Sequence, residues 1–264
     1  MKLKNKIVWI TGASSGIGKS LAIQLSSQNT KLILSSRNES ALNEVRELCA
    51  YKSNIEVLPL DLEDYESLPE KVVEALRLFG DIDILINNGG ISQRSLAVET
   101  SIVVDKRLMT INYLGTVALT KALLPYFISK KRGHFAVTTS IVGKIGTPLR
   151  SSYAAAKHAL HGFFDSLRAE IHDYNIKVTL VCPGFVTTNV SKNALTGDGS
   201  AQEIMDKATA NGIHPDRFAT LMIKAIEAKK EEVYIAGAKE KLGVYAKRFY
   251  PKLLSKMLRK LSVT

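Results

Sequence analysis

The 264-residue chain holds only 2 Cys and 1 Trp, and none of its 7 Pro gathers with Gly or Ser into a linker. Cys49 and Cys182 lie far apart, and Cys182 closes the apolar run Val178-Thr179-Leu180-Val181-Cys182, a pattern that builds no disulfide framework. A reducing, cytoplasmic setting is the expectation. No apolar stretch approaches the ~20 residues of a membrane-spanning helix. Lys2, Lys4 and Lys6 precede an apolar run, but Ile7 to Ile10 ends at Thr11-Gly12 and is too short for a signal peptide. Internal repeats and low-complexity segments are also missing. With 45% hydrophobic residues the chain can bury a full core as one domain.

Metal-ligand spacing is absent too. Of the 5 His, His158 and His161 would share a helix face, yet no Cys or carboxylate pattern completes a zinc or iron set around them. They are read as helix-surface or interface residues, and no metal is expected. The formal charge of +11 invites a nucleic-acid partner, but its distribution speaks against one. From Lys239 onward there are eight Lys/Arg against Glu240 alone, 8 − 1 = +7, which leaves 11 − 7 = +4 for the body. The tail lacks the interleaved aromatics that stack bases, so no nucleic acid is expected.

Seven short β-branched runs alternate with stretches of helical period: Ile7 to Ile10, Leu32 to Ser35, Ile55 to Leu58, Ile82 to Ile86, Phe135 to Thr138, Val178 to Val181 and Val233 to Ile235. Continuous rather than alternating apolar strands belong to a parallel sheet covered on both faces. The spacing predicts an α/β, doubly wound Rossmann-type sheet of about seven strands. Residues 1–238 form that domain and 239–264 a basic tail. Ligands of such sheets gather beyond the carboxyl ends of the strands. The long irregular stretch from Asn189 to about His214 follows a strand end and reads as a lid.

Directly after the first run stands Thr11-Gly12-Ala13-Ser14-Ser15-Gly16-Ile17-Gly18, followed by a helical pattern. Glycines admit a sharp turn and close approach of a pyrophosphate, and the helix amino terminus offers free N–H groups. The candidate contacts are Gly12, Ser14, Ser15, Gly16, Ile17 and Gly18. Nineteen residues past Gly18, where an acidic side chain would hold a ribose hydroxyl, the second run ends in Ser35-Ser36-Arg37-Asn38. Arg37 matches a 2′-phosphate and so favours NADP(H) over NAD(H). Asp61 and Leu62 are placed to meet the adenine, and Asn88, Gly89 and Gly90 to form a flat wall for the ribose.

Tyr153-Ala154-Ala155-Ala156-Lys157 puts a phenol and an ammonium on one helix face, thirteen residues after Ser140. With 9 Tyr and 25 Lys, about one such pair arises by chance, and Tyr126-Phe127-Ile128-Ser129-Lys130 is a second copy. Tyr113, not a serine, stands thirteen residues before Tyr126, so the two copies differ. Together with the glycine loop, these residues make the chain resemble the short-chain dehydrogenase/reductase family over Lys6 to about Ala236, with Gly89 where that family usually has Ala. The resemblance implies catalytic roles for Asn112, Ser140, Tyr153 and Lys157, with Tyr153 the general acid or base of carbonyl–alcohol interconversion. Lys157 would tune the phenol, Ser140 hold the substrate oxygen, and Asn112 anchor a water leading to Lys157.

Pro183-Gly184-Phe185-Val186-Thr187-Thr188 would hold the nicotinamide carboxamide through Val186 and Thr188, with Pro183 and Gly184 beside it. The resemblance further implies a homodimer or homotetramer through the helix carrying Phe163, Phe164, Leu167 and Ile171. Arg94 and Arg150 are weighed as anion binders or as plain surface cations. A non-catalytic scaffold on the same fold is the competing reading, though such proteins normally lose the Tyr or the Lys. In the tail, Ala246, Phe249, Tyr250, Leu253, Leu254, Met257, Leu258 and Leu261 fall on one side of a helical wheel, opposite Arg248, Lys252, Lys256, Arg259 and Lys260. That pattern is a basic amphipathic helix, a candidate for peripheral membrane contact next to a lipid-like carbonyl substrate, or for docking over the protein's own pocket or a partner subunit.

Overall fold

The computed structural model describes residues 3–259. Seven strands, β1 (Ile7–Thr11), β2 (Lys31–Ser35), β3 (Ile55–Val57), β4 (Ile84–Asn87), β5 (Gly133–Thr138), β6 (Ile176–Pro183) and β7 (Glu232–Ile235), lie where the apolar runs place them. They pair in parallel in the order β3-β2-β1-β4-β5-β6-β7. The register sets Ile10 between Leu34 and Ile86, so the centre of the sheet is apolar on both faces.

Helices α1 (Gly16–Ser26), α2 (Glu39–Leu48) and α8 (Pro215–Glu227) close one face around Leu21, Leu25, Phe218 and Met222. On the other face lie α3 (Leu68–Phe79), α4 (Ile102–Met109), α5 (Thr116–Ser129) and α6 (Ser151–Glu170), whose Leu123, Phe127 and Phe164 are fully buried. Phe164, Leu167 and Ile171 thus belong to the chain's own core, with Phe163 partly buried beside them. Between Ile102 and Ser129 the chain forms α4 and α5 joined by a wide turn, Thr110–Gly115, with π-helical winding. Such turns mark functional positions, and this one carries Asn112.

The segment read as a lid is tied down. Leu195 bridges both Gln93 and Ala201, Val186 bridges Ile213, and α7 (Lys207–Ala210) forms inside it. Asp206 anchors the segment: its Oδ2 accepts from Arg94 Nε at 2.9 Å and Nη2 at 2.5 Å, with both side chains buried. Arg94 is therefore not a surface cation.

The tail departs from the single amphipathic wheel. The chain breaks at Tyr250 (φ −132°, ψ 55°), separating α9 (Ala238–Phe249) from α10 (Pro251–Leu258), because proline starts a helix but cannot continue one. The apolar stripe divides as well. Leu254 is buried against Ile141 and Ile145, with Val244, Ala246 and Leu258 packed partly beside it, whereas Phe249, Tyr250, Leu253 and Met257 are exposed. Lys260 and Leu261 lie outside the described residues. Among the described residues no helix is long and apolar enough to cross a membrane.

Candidate active site

The strand order reverses between β1 and β4: from β1 the sheet grows through β2 to β3, and from β4 through β5 to β7. Loops leaving the two central strands part there and open a crevice beyond their carboxyl ends. The glycine loop lines it. Gly12 (φ +64°) and Gly16 (φ +51°) adopt left-handed conformations, and a Cβ on Gly18 would lie 2.1 Å from Gly12 O. Ser15 caps α1 without a side-chain hydrogen bond, so the first-turn N–H groups face outward for an anion. A side-chain-free cradle before a helix amino terminus fits a dinucleotide's phosphates.

Polar side chains hold the crevice open. Thr11 Oγ1 accepts from the N–H groups of Asn88 and Gly89, each at 3.0 Å. The Asn88 amide donates to Thr11 O at 3.2 Å, and its Oδ1 accepts from Thr138 Oγ1 at 3.2 Å. Asn88 thereby stitches β1, β4 and β5 together as well as lining the wall. A cleft of about 510 Å³ then gathers every expected cofactor and catalytic residue except Gly18, which sits behind the loop where its missing side chain lets Gly12 approach. Arg37 lines the rim and makes no ion pair among the described residues. Asp61 also lines the cleft while accepting Glu63 N–H at 2.9 Å.

Tyr153 and Lys157 lie on the first two turns of α6, facing the cleft. Burial pushes the Tyr153 phenol upward; the Ser140 hydroxyl, Arg150 and Arg94 pull the other way but do not cancel it. Lys157 Nζ donates to Thr138 O at 2.9 Å and lies 5.8 Å from the Tyr153 ring centre. Burial brings this ammonium down to about 8. Arg150 and Arg94 add positive charge beside the phenol. Ser140 begins the turn Ile141–Gly143, its Oγ accepting Val142 N–H at 3.1 Å. Asn112 is fully buried, and its amide pairs both ways with Ile91: N–H to Oδ1 at 2.9 Å, and Nδ2 to O at 3.0 Å. Its side chain thus fastens the loop after β4, and a Cβ on Gly90 would come within 2.5 Å of its Oδ1.

The arrangement can transfer a proton to or from a substrate oxygen beside a dinucleotide. Comparison with known sequences agrees: the family described as short chain dehydrogenase matches residues 6–199. The chain belongs to that family. A Xenopus tropicalis relative, "Dehydrogenase/reductase SDR family member 7B", is 43% identical over 94% of this chain and 83% of its own length. A Drosophila melanogaster relative, "Dehydrogenase/reductase SDR family protein 7-like", is 40% identical over 99% of this chain and 82% of its own. Among solved structures, a short chain dehydrogenase/reductase from Burkholderia phymatum in complex with NAD shares the fold with a TM-score of 0.82 at 21% identity, covering 96% of both chains. Membership makes the chain an oxidoreductase with a Rossmann-type fold that binds a nicotinamide cofactor.

Within this family frame the second Tyr-Lys pair is separable on physical grounds. Tyr126 donates to Asp81 Oδ1 at 2.8 Å, and Lys130 binds the same carboxylate and Ile82 O. Burial and that carboxylate push the Tyr126 phenol up to about 12. A phenol tied to an anion is a structural fastener, not an acid. At Gly89 a Cβ would stand 2.7 Å from Leu62 Cδ1, the end of a flexible side chain, and 3.4 Å from Gly12 N and Thr11 Oγ1, so an Ala there would ask only Leu62 to shift.

Two residues that work on the site carried no sequence signal. Glu240, in the first turn of α9, accepts Phe185 N–H at 3.0 Å and so ties the tail to the Pro183–Thr188 loop. Gln93 is fully buried, and its Oε1 accepts the N–H groups of Ser152 and Tyr153 at 2.9 and 3.2 Å, capping α6 where the phenol stands. Its Nε2 donates to Ser95, Thr100 and Ser151. No spacing rule pairs residue 93 with residue 153. His161 also moves from its expected place on the helix surface to a buried one, 3.8 Å from Cys182 Sγ and 3.3 Å from Glu232. The fold thus brings a thiol and a carboxylate to this histidine, which spacing alone did not. Burial raises Glu232, but the nearby His161, the Lys144 ammonium and the Tyr234 hydroxyl outweigh it and bring the carboxyl to about 2. Burial pushes the Cys182 thiol up to about 12. The Lys144 ammonium, 2.7 Å from Glu232, already supplies the cation there.

Gln93→Leu should leave two helix N–H groups without a partner and loosen Tyr153. A loss of about 10- to 100-fold in kcat is expected, with KM little changed, from a lost capping contact of ~1–3 kcal/mol. Gln93→Glu, whose neutral carboxyl keeps both an acceptor and a donor, should recover most of the rate at a pH where it is protonated.

Proposed function

We propose that the chain is an NADP(H)-dependent oxidoreductase that interconverts a carbonyl and a secondary alcohol, acting chiefly as a ketone reductase on a moderately apolar, lipid-like substrate. The observation carrying this reading is the convergence of Tyr153, Lys157 and Ser140 on the crevice behind the glycine loop. A nicotinamide, when bound in the cleft behind the glycine loop, would supply the hydride. Ser140 Oγ donates to the substrate carbonyl oxygen, and the Tyr153 phenol, kept protonated by burial, gives that oxygen its proton as the alcohol forms. Lys157 holds the positive charge that stabilises the phenolate left behind, and main-chain groups around Thr138 fix its position.

The cofactor preference is supported by Arg37 at the end of β2, with no acidic side chain there to repel a 2′-phosphate. The substrate reading is supported by the apolar side chains Ile91, Val190 and Leu195 in the lining of the cleft. For assembly, a homodimer or homotetramer is supported by the outward face of α6, where Ala155, His158, Gly162, Ser166 and Ala169 are small or exposed enough for a symmetry mate to approach. Light scattering in solution reads this directly, and a monomer would remove it.

Tyr153→Phe should cut reduction of a ketone panel by at least ~100-fold, the usual scale of lost acid catalysis, while Tyr126→Phe leaves the rate intact. Retained activity in Tyr153→Phe would overturn the mechanism. Lys157 is charged below about 8 and neutral above it, so kcat/KM for reduction should fall as pH rises through about 8. Lys157→Arg, if active, should move that limb upward. Arg37→Asp should lower kcat/KM for NADPH by about 10- to 100-fold, the worth of a charge-assisted phosphate contact, while sparing NADH.

A further inference from the structure

The two tail helices present two different apolar faces, and only one of them is used. Leu254 is buried against the turn that follows Ser140, and Gly243 brings α9 so close to that turn that a Cβ would lie 3.0 Å from Ile145 Cδ1. The other face carries Leu242, Tyr245, Phe249, Tyr250, Leu253 and Met257, each between 56% and 68% exposed. Six large apolar side chains on 16 consecutive residues exceed the scattered exposure usual on a soluble surface. Around them stand Lys247, Arg248, Lys252, Lys256 and Arg259, all exposed and none in an ion pair among the described residues. Glu240 is the sole acidic residue of the tail, and it is turned to Phe185 N–H.

We infer that α9 and α10 form a docking element for an anionic membrane surface, lying flat in the interface with Phe249, Leu253 and Met257 inserted and the cations at headgroup level. Charge complementarity selects this occupant. A partner protein with an apolar groove would satisfy the six side chains but leave five unneutralised cations beside it, whereas a leaflet containing phosphatidylserine satisfies both sets. The aromatic pair Tyr245 and Tyr250 suits the same boundary, where a ring can be buried with its hydroxyl in water.

The placement has a consequence for access. The buried face of the same helices packs on the turn that follows Ser140, at the edge of the cleft, and a hollow of about 310 Å³ lies between α10 and residues 145–148, edged by Lys247 and Arg259. A chain lying on the bilayer through α9 and α10 therefore has the rim of its active site beside the lipid. This consequence rests on the lipid-like substrate reading above. The docking itself does not, and the experiment reads it without any turnover.

The test uses full-length protein and sedimentation with sucrose-loaded vesicles. Vesicles of phosphatidylcholine with about one third phosphatidylserine should pellet most of the protein, and phosphatidylcholine alone should leave it in the supernatant. Cutting the chain at Gly237 is unsuitable, because it also removes Glu240 and uncovers Ile141 and Ile145. Phe249→Ser with Leu253→Ser, both on the exposed face, should reduce the partition coefficient by ~10-fold or more at unchanged thermal melting. Lys252→Glu with Lys256→Glu should do the same and abolish the dependence on phosphatidylserine. Equal recovery in the supernatant with both vesicle types overturns the inference. So does binding that both double variants retain undiminished, and so does a dimer in solution that the Phe249→Ser, Leu253→Ser variant dissolves while wild type ignores the vesicles.

Discussion

Two parallel strands, β1 and β4, lie side by side in the middle of the sheet while their outgoing chains turn away in opposite directions. Backbone pairing holds the strands near van der Waals contact, so the parted loops must leave a crevice, and the crevice cannot close without breaking the sheet. Everything chemical in this molecule is arranged around that forced gap. The glycine loop lines one side because only residues without side chains let Gly18 pass Gly12 O. Thr11 and Asn88 brace it, and α6 delivers the phenol from the far side.

A few buried amides carry the geometry from the sheet to the reacting groups. Asn88 joins three strands, Asn112 fastens the loop after β4 to the π turn, and Gln93 holds the start of α6. Each is satisfied on both its donor and its acceptor side, the condition under which a buried polar group stabilises one arrangement instead of destabilising them all. Arg94 and Asp206 extend the same logic to the segment beyond β6, which is latched by a buried ion pair and not left as an open flap. The tail enters this network through Glu240, so the Pro183–Thr188 loop and the outermost helices form one mechanical unit.

Much of this was legible in the residues. Continuous Val/Ile/Leu runs declare buried parallel strands, because such strands face apolar layers on both sides, and all seven appear where the runs lie. The glycine loop, Ser140, Tyr153 and Lys157 were legible for a similar reason: their contacts are local or tied to a strand end. Gln93, Glu240 and the burial of His161 were not. Their partners lie 60, 55 and 21 residues away in sequence, and no local periodicity encodes such meetings.

The sequence by itself determined the strands, the helices and the glycine loop at the first strand-to-helix junction, because each depends on steric rules and spacing within a few residues. Tertiary structure alone decided which Tyr-Lys pair could act. Tyr126 meets Asp81 and is raised to about 12, whereas Tyr153 is half-buried beside Ser140, Arg150 and Arg94. Packing also decided which half of the tail's apolar stripe stays outside. A helical wheel records direction around one axis, but the break at Pro251 and the fit of Leu254 against Ile141 depend on what lies beneath.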